Sequence, residues 1–247
     1  MLKKKIILMF FAFVCVIAIP TTTDANTNTY DVLKDIGFSE YQISKMDYIE
    51  KDIYTKIYHK TNGTARLING NTTHSSFNEF LSVSDIDVNI VAGNSPTCQN
   101  GYKCAGIYVV GTVDTEKFNL KQIATGAAWS DNWNNMSSKA EVSYGDFWGN
   151  TETKSMYLID ATPKKGLAYG YDNLPFHLST AHTTLEIDLR RTSGDSGTTD
   201  VVGKVGFTKE ETVLGVSISG NIPGISITPQ DKVFQRAATG SFIFKSK

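Results

Sequence analysis

The sequence predicts a mainly β protein with a short N-terminal helical segment, its β domain an antiparallel sandwich-like or curved sheet. Three observations carry that prediction. Apolar and polar residues alternate in several runs after residue 85, the two-residue period of a strand with one buried face. Clusters of Gly, Asn and Ser separate those runs at short spacing, leaving room for about eight strands. A recurrence of three to four residues, the mark of a helix, is confined to residues 30–60.

Residues 1–25 have the three parts of a secretory signal peptide. Lys3, Lys4 and Lys5 are followed by an apolar run from Ile6 to Ile19, too short for a comfortable membrane span. Pro20 ends that run, and Thr23-Asp24-Ala25 places cleavage after Ala25. Cys15 is then a residue of the discarded apolar stretch, and the chain is expected to be secreted. Cleavage moves the formal charge from -1 to -3, because three lysines and Asp24 leave with the peptide. No basic run is dense enough to track a nucleic-acid backbone, so nucleic acid is a poor partner. No later stretch approaches eighteen apolar residues, so no transmembrane helix is expected after the signal. The Lys, Asn, Ile and Thr bias points to a bacterium, Gram-positive by its short lysine-led signal.

Residues 26–60 form the helical segment. Val32, Leu33 and Ile36 share a face of a first helix ending near Gly37. Ser39 caps a second, with Tyr41, Ile43 and Met46 as apolar positions. Asp47 caps a third, where Ile49, Ile53 and Ile57 face inward and Glu50, Lys51 and Lys56 outward. Three helices this short bury little alone, so they dock on the β domain or await a partner. Residues 61–76, rich in Asn, Gly and Thr, read as a linker or loop, and residues 77–247 as the β domain.

The β domain opens on a stapled hairpin. Ile86, Val88 and Ile90 alternate with Asp87 and Asn89; Cys98 and Cys104 flank a turn containing Asn100-Gly101; a second apolar strand follows. An even pair of cysteines in an exported chain favours a Cys98–Cys104 disulfide. A helical turn is expected near residues 116–122, a strand at 155–161 and a short edge strand at 167–171. Leu185, Ile187 and Leu189 oppose Glu186, Asp188 and Arg190, and the run pairs with residues 201–207 as a second hairpin. Leu214, Val216 and Ile218 alternate with Gly215, Ser217 and Ser219, and Phe242 and Phe244 tie the C-terminus into a sheet.

Functional signatures are sparse. There is no phosphate loop, Cys-x-x-Cys pair, His-Glu-x-x-His or Gly-x-Ser-x-Gly, and no cofactor or metal is expected. The weak catalytic candidates are His177 and His182, with Asp172 or Asp188 as orienting acid and a Ser or Thr nucleophile. The pairs Asp85/Asp87 and Glu186/Asp188 suit calcium or glycosidase chemistry, and equally well a solvated sheet face, which is the expectation taken. The strongest signal is aromatic: Trp129, Trp133 and Trp148, with Tyr144 and Phe147, in an Asn-rich stretch of few charges. Tryptophan joins a large apolar face to one donor, which suits sugar rings or lipid headgroups. The expected function is therefore non-enzymatic binding of an extracellular glycan or lipid surface through Trp129, Trp133, Tyr144, Phe147 and Trp148. Two alternatives remain: a membrane-damaging toxin, from the small-polar alternation over residues 201–228, and a secreted hydrolase.

Overall fold

The computed structural model describes residues 28–74, 86–95, 104–114, 120–130, 133–146, 148–162, 165–172, 174–175, 178–191, 197–208, 216–219, 224–227 and 233–244. Three helices come first: α1 (Thr29–Ile36), α2 (Glu40–Lys45) and α3 (Tyr48–Lys60). The first strands are β1 (Arg66–Leu67), β2 (Asn69–His74), β3 (Ile86–Asn94), β4 (Cys104–Asp114) and β5 (Gln122–Trp129). Next come β6 (Trp133–Asp146), β7 (Thr151–Ser155), β8 (Tyr157–Thr162), β9 (Gly166–Asp172) and β10 (Leu178–Arg191). The last are β11 (Gly197–Thr208), β12 (Val216–Ser219), β13 (Gly224–Ile227) and β14 (Val233–Phe244).

These strands build two antiparallel six-stranded sheets. The front sheet has the order β1-β3-β4-β10-β6-β7 and the back sheet β2-β14-β11-β5-β9-β8, while β12 and β13 pair separately. The expected mainly β class, with two antiparallel sheets and minor helical content, is what the chain adopts. One apolar core joins the sheets, from Val88, Ile107, Val109, Leu185 and Ile187 on one side to Ile123, Val201, Val205 and Phe207 on the other. Glycines set how closely the sheets approach. A Cβ on Gly111 would lie 2.3 Å from Val205, and one on Gly203 would lie 2.8 Å from Val109. Each glycine thus accepts a branched side chain from the facing sheet.

The helices dock on the other face of the front sheet. Val32, Leu33, Ile36, Ile53 and Tyr54 pack with Val91, Tyr108 and Val110 in a second core. With both faces covered, β4 is buried at nearly every position, and its sequence reads as a continuous apolar run. Helix ends follow their local signals. Gly37, at φ 115, donates back to Leu33 and Lys34, Ser39 forms a capping box with Gln42, and Asp47 accepts from the Glu50 N–H.

Several expectations are corrected. Tyr41 is 73% exposed, because a six-residue helix has one inward stripe and Ile43 occupies it. Glu50 is buried, at 7% exposure, because the first turn of α3 sets it beside Asp47, Asp87 and Thr112. Residues 66–67 and 69–74 of the expected linker form β1 and β2, the latter paired with β14. The strand expected at 155–161 breaks at Met156, where the chain passes from the front sheet into the back one. Residues 167–171 lie inside the back sheet between β5 and β8, not at its edge. The proposed hairpin of 183–191 with 201–207 does not form: β10 pairs with β4 and β6, and β11 with β5 and β14 in the other sheet. Cys98, Phe147, His177, Asp85 and most of the helical turn expected at 116–122 lie outside the described residues.

Candidate functional site

The aromatic candidates divide sharply. Trp129 ends β5 and Trp133 opens β6, where the chain crosses from the back sheet to the front. Both are 1% exposed, and the Trp129 indole N–H donates to the Trp133 carbonyl at 3.1 Å. Burying such a ring is worth about 4–6 kcal/mol, and here it closes one end of the sandwich. Tyr144 is buried too, on the inward face of β6, with its hydroxyl donating to Glu152 at 2.8 Å. Rings placed there cannot meet an external surface, which corrects the expectation for Trp129, Trp133 and Tyr144.

Trp148 is the opposite case, at 80% exposure. It sits in the turn between β6 and β7, and the Asp146 carboxylate organises that turn. Asp146 Oδ1 accepts from the N–H groups of Trp148 at 2.9 Å and Asn150 at 2.8 Å, and Oδ2 accepts from Asn150 Nδ2 at 2.8 Å. Gly149 completes the turn at φ 83. Those bonds hold Asp146 below its usual carboxylate range, led by the one from Asn150. Beside this turn stands Tyr48, 60% exposed, whose hydroxyl lies 3.5 Å from the Gly149 carbonyl.

Tyr48 also marks the mouth of a groove of about 560 Å³ between α3 and the outer face of β10, β6 and β7. Ile49, Ile53 and Ile57 form its helical wall. Its floor carries Ser143, Thr151, Thr153 and Thr184, with the Ser143 and Thr153 hydroxyls 2.9 Å apart. Its lysines are matched by carboxylates. Lys56 meets Asp52 at 2.6 Å, Lys139 meets Glu141 at 3.0 Å and Glu186 at 3.9 Å, and Lys60 also reaches Glu186.

A cross-strand row explains how the floor meets the helices. Asp87, Thr112, His182, Ser143 and Thr153 lie abreast on β3, β4, β10, β6 and β7. Where α3 meets this row, His182 joins Asp47 and Glu50 in an ionisable cluster. His182 is fully enclosed; its Nε2 lies 2.8 Å from Asp47 Oδ2, and its Nδ1 3.2 Å from the Thr112 hydroxyl. Thr180 donates to the same Asp47 oxygen at 2.9 Å. Burial pushes Asp47 up, but the hydrogen bond and attraction of His182, with bonds from Glu50 N–H and Thr180, hold it at about 2. Burial pushes the neighbouring Glu50 up to about 8, reinforced by the charges of Asp87 and Asp47 against a Thr112 bond. Tyr54 is raised by the same burial and by the charges of Glu50 and Asp87. Among the described residues its hydroxyl closes no hydrogen bond of ordinary geometry, although Glu50 and Asn89 are near enough to affect it.

The acid that orients His182 is thus Asp47, not Asp172 or Asp188. Asp172 accepts from Tyr157 at 2.9 Å in the back sheet. Asp188 accepts from Ser95 and Ser137, both at 2.6 Å. Thr112, His182 and Asp47 have the order of a nucleophile, base and orienter, yet the imidazole is sealed beneath α3 and lines no part of the groove. The arrangement pins α3 to the sheet. Glu186 and Asp188 do not form the solvated face expected of them, because Lys60, Lys139, Ser95 and Ser137 cover them. Tyr48 and Asp47 were missed as site residues. Asp47 lies 135 residues from His182, so no local pattern joins them.

No group of metal-ligand spacing occurs among the described residues, and none of their helices is long and apolar enough to cross a membrane. No protein-family model matches the chain, and no curated protein matches it. Among solved structures, the chain is similar to the collagen-binding subdomain of the Enterococcus faecalis surface protein ACE, at 7% identity and TM-score 0.33, over 55% of this chain and 86% of that one. It is similar to the collagen-binding domain of Erysipelothrix rhusiopathiae surface protein RspB, at 7% identity and TM-score 0.34, over 64% of this chain and 49% of that one. It is also similar to Clostridium perfringens delta-toxin, at 7% identity and TM-score 0.25, over 73% of this chain and 94% of that one. Overlaps this loose say nothing of what the present chain binds.

Proposed function

We propose that this chain is an exported, non-enzymatic protein of a Gram-positive bacterium that engages an extracellular glycan or lipid surface through Trp148, with Tyr48 beside it. The observation that carries the reading is the Asp146-braced turn, which holds the backbone of Trp148 in place while its indole stands exposed. A ring carried on a mobile loop loses backbone as well as side-chain freedom on binding; one carried on a braced turn has less backbone freedom to lose. The N-terminal signal pattern and a Cys98–Cys104 disulfide fit export.

The test is adhesion of the purified chain to isolated cell-wall glycan and to liposomes. Trp148→Ala should weaken binding about tenfold and Tyr48→Ala less, as for a central aromatic anchor and its neighbour. Binding unchanged in both variants, to both surfaces, overturns the proposal. Release of a trapped dye from the liposomes would favour membrane damage over adhesion.

A further inference from the structure

We infer that the groove between α3 and the β10–β6–β7 surface is a binding site for an uncharged oligosaccharide. This rests on the surface-engagement reading and narrows it from glycan or lipid to glycan. At about 560 Å³ the groove falls within the usual range for a small-ligand site. Its position is also informative, because Tyr48 at its mouth touches the turn that presents Trp148. A sugar ring has an apolar C–H face that stacks on such a ring and an edge of hydroxyls. The floor offers hydroxyls to meet that edge, in Ser143, Thr153 and Thr184.

The charges argue against the other ligands. Lys56, Lys60 and Lys139 are each paired with a carboxylate of the groove, so its local balance is zero. A phosphate headgroup or an acidic polymer would have to displace Asp52, Glu141 or Glu186 from a lysine. A neutral hydroxyl need displace nothing, since it donates to a carboxylate and accepts from a lysine where they already stand. An acyl chain would meet the Ile49, Ile53 and Ile57 wall but would leave the floor hydroxyls of Ser143, Thr153 and Thr184 facing hydrocarbon.

The experiment presents the purified chain with an array of neutral oligosaccharides that includes chitohexaose and cellohexaose, with heparin, and with phosphatidylcholine and phosphatidylglycerol vesicles. At least one neutral series should bind. Ser143→Ala with Thr153→Val removes two floor hydroxyls at nearly constant shape and should lower that affinity at least fivefold with an unchanged circular dichroism spectrum. Raising the salt concentration tenfold should leave that affinity within twofold, because a neutral ligand has no charge to screen; a tenfold loss would mark an anionic ligand and overturn the assignment. So would an array with no neutral ligand, or undiminished binding by the floor variant. Vesicle or heparin binding that depends on Trp148, with no neutral ligand, would sink the uncharged-oligosaccharide assignment and leave the surface reading standing. Binding indifferent to Trp148 sinks the surface reading itself.

Discussion

Glu50 is the residue whose replacement tests the structure most directly. Its carboxyl lies beneath α3, close to Asp47 and Asp87, and is held protonated up to about pH 8. In the unfolded chain the same group releases its proton near 4.5. Between those two values the folded state binds a proton that the unfolded state has lost, so stability falls as pH rises through the interval. A displacement from 4.5 to about 8, at about 1.4 kcal/mol for each pH unit, amounts to about 5 kcal/mol. That is comparable with the whole net stability of many domains. Glu50→Gln keeps the shape of the protonated acid and removes the titration. Urea unfolding from pH 4 to pH 9 should then give similar stabilities at pH 4.5 and a growing advantage for the variant above it, levelling off beyond pH 8. Subtracting the two profiles cancels Asp47 and the other titrating groups. Parallel profiles would refute the buried position of Glu50, and with it the docking of the first turn of α3.

Three further outcomes follow from the same structure. Asp47→Asn keeps a helix cap but loses a carboxylate held at about 2; because a depressed acid stabilises the fold above its unfolded pKa, the variant should be about 2 kcal/mol less stable at pH 7, and the gap should close as pH falls from 4 towards 2. Gly111→Ala forces a methyl to 2.3 Å from Val205 and 2.7 Å from Thr183, so urea unfolding should show a loss of about 1–3 kcal/mol, partly restored by adding Val205→Ala. Trp148→Phe should remove most of the fluorescence quenched by acrylamide, since Trp129 and Trp133 are enclosed, while its urea unfolding midpoint stays within the equivalent of about 0.5 kcal/mol.

What the sequence discloses here is local. The capping residues Ser39 and Asp47, the helix stop at Gly37 and the alternation of β3 and β10 each act on neighbours, and each can be read in place. Sheet membership is a long-range choice: β3 and β4 pair antiparallel as the sequence leads one to expect, whereas the hairpin expected of 183–191 with 201–207 does not form. The residues after β10 turn into the other sheet, and nothing in Leu185 to Phe207 distinguishes that path from a hairpin. The aromatic segment fails for the same reason. Period and composition give Trp129, Trp133 and Trp148 equal standing, and only the crossing between sheets buries the first two. Glu50 looked solvent-facing because three polar residues of α3 were assigned to one outer face. Its neighbours on β3 and β4 lie more than thirty-five residues away, and they decide the matter.

The location of the groove follows from dimensions. A six-stranded sheet is about 24 Å across at the usual strand spacing, whereas a helix covers about 10 Å. Helices as short as these therefore shield part of the front sheet and leave its β6–β7 side open. The outer face changes accordingly along the strand order. Val91, Tyr108 and Val110 are apolar beneath the helices, His182 and Glu186 are polar but enclosed at the margin, and Ser143 and Thr153 meet solvent beyond it. A margin of this kind has one wall of helix and a floor of strand, and its residues are released from core packing. The first turn of α3 belongs to both sides of that margin. Asp47 and Glu50 fasten it inward, and Tyr48, between them in sequence, is turned out to the mouth. The pin and the groove are thus coupled through the four residues 47–50, so the position of the exposed tyrosine is set by the same contacts that hold the helix down.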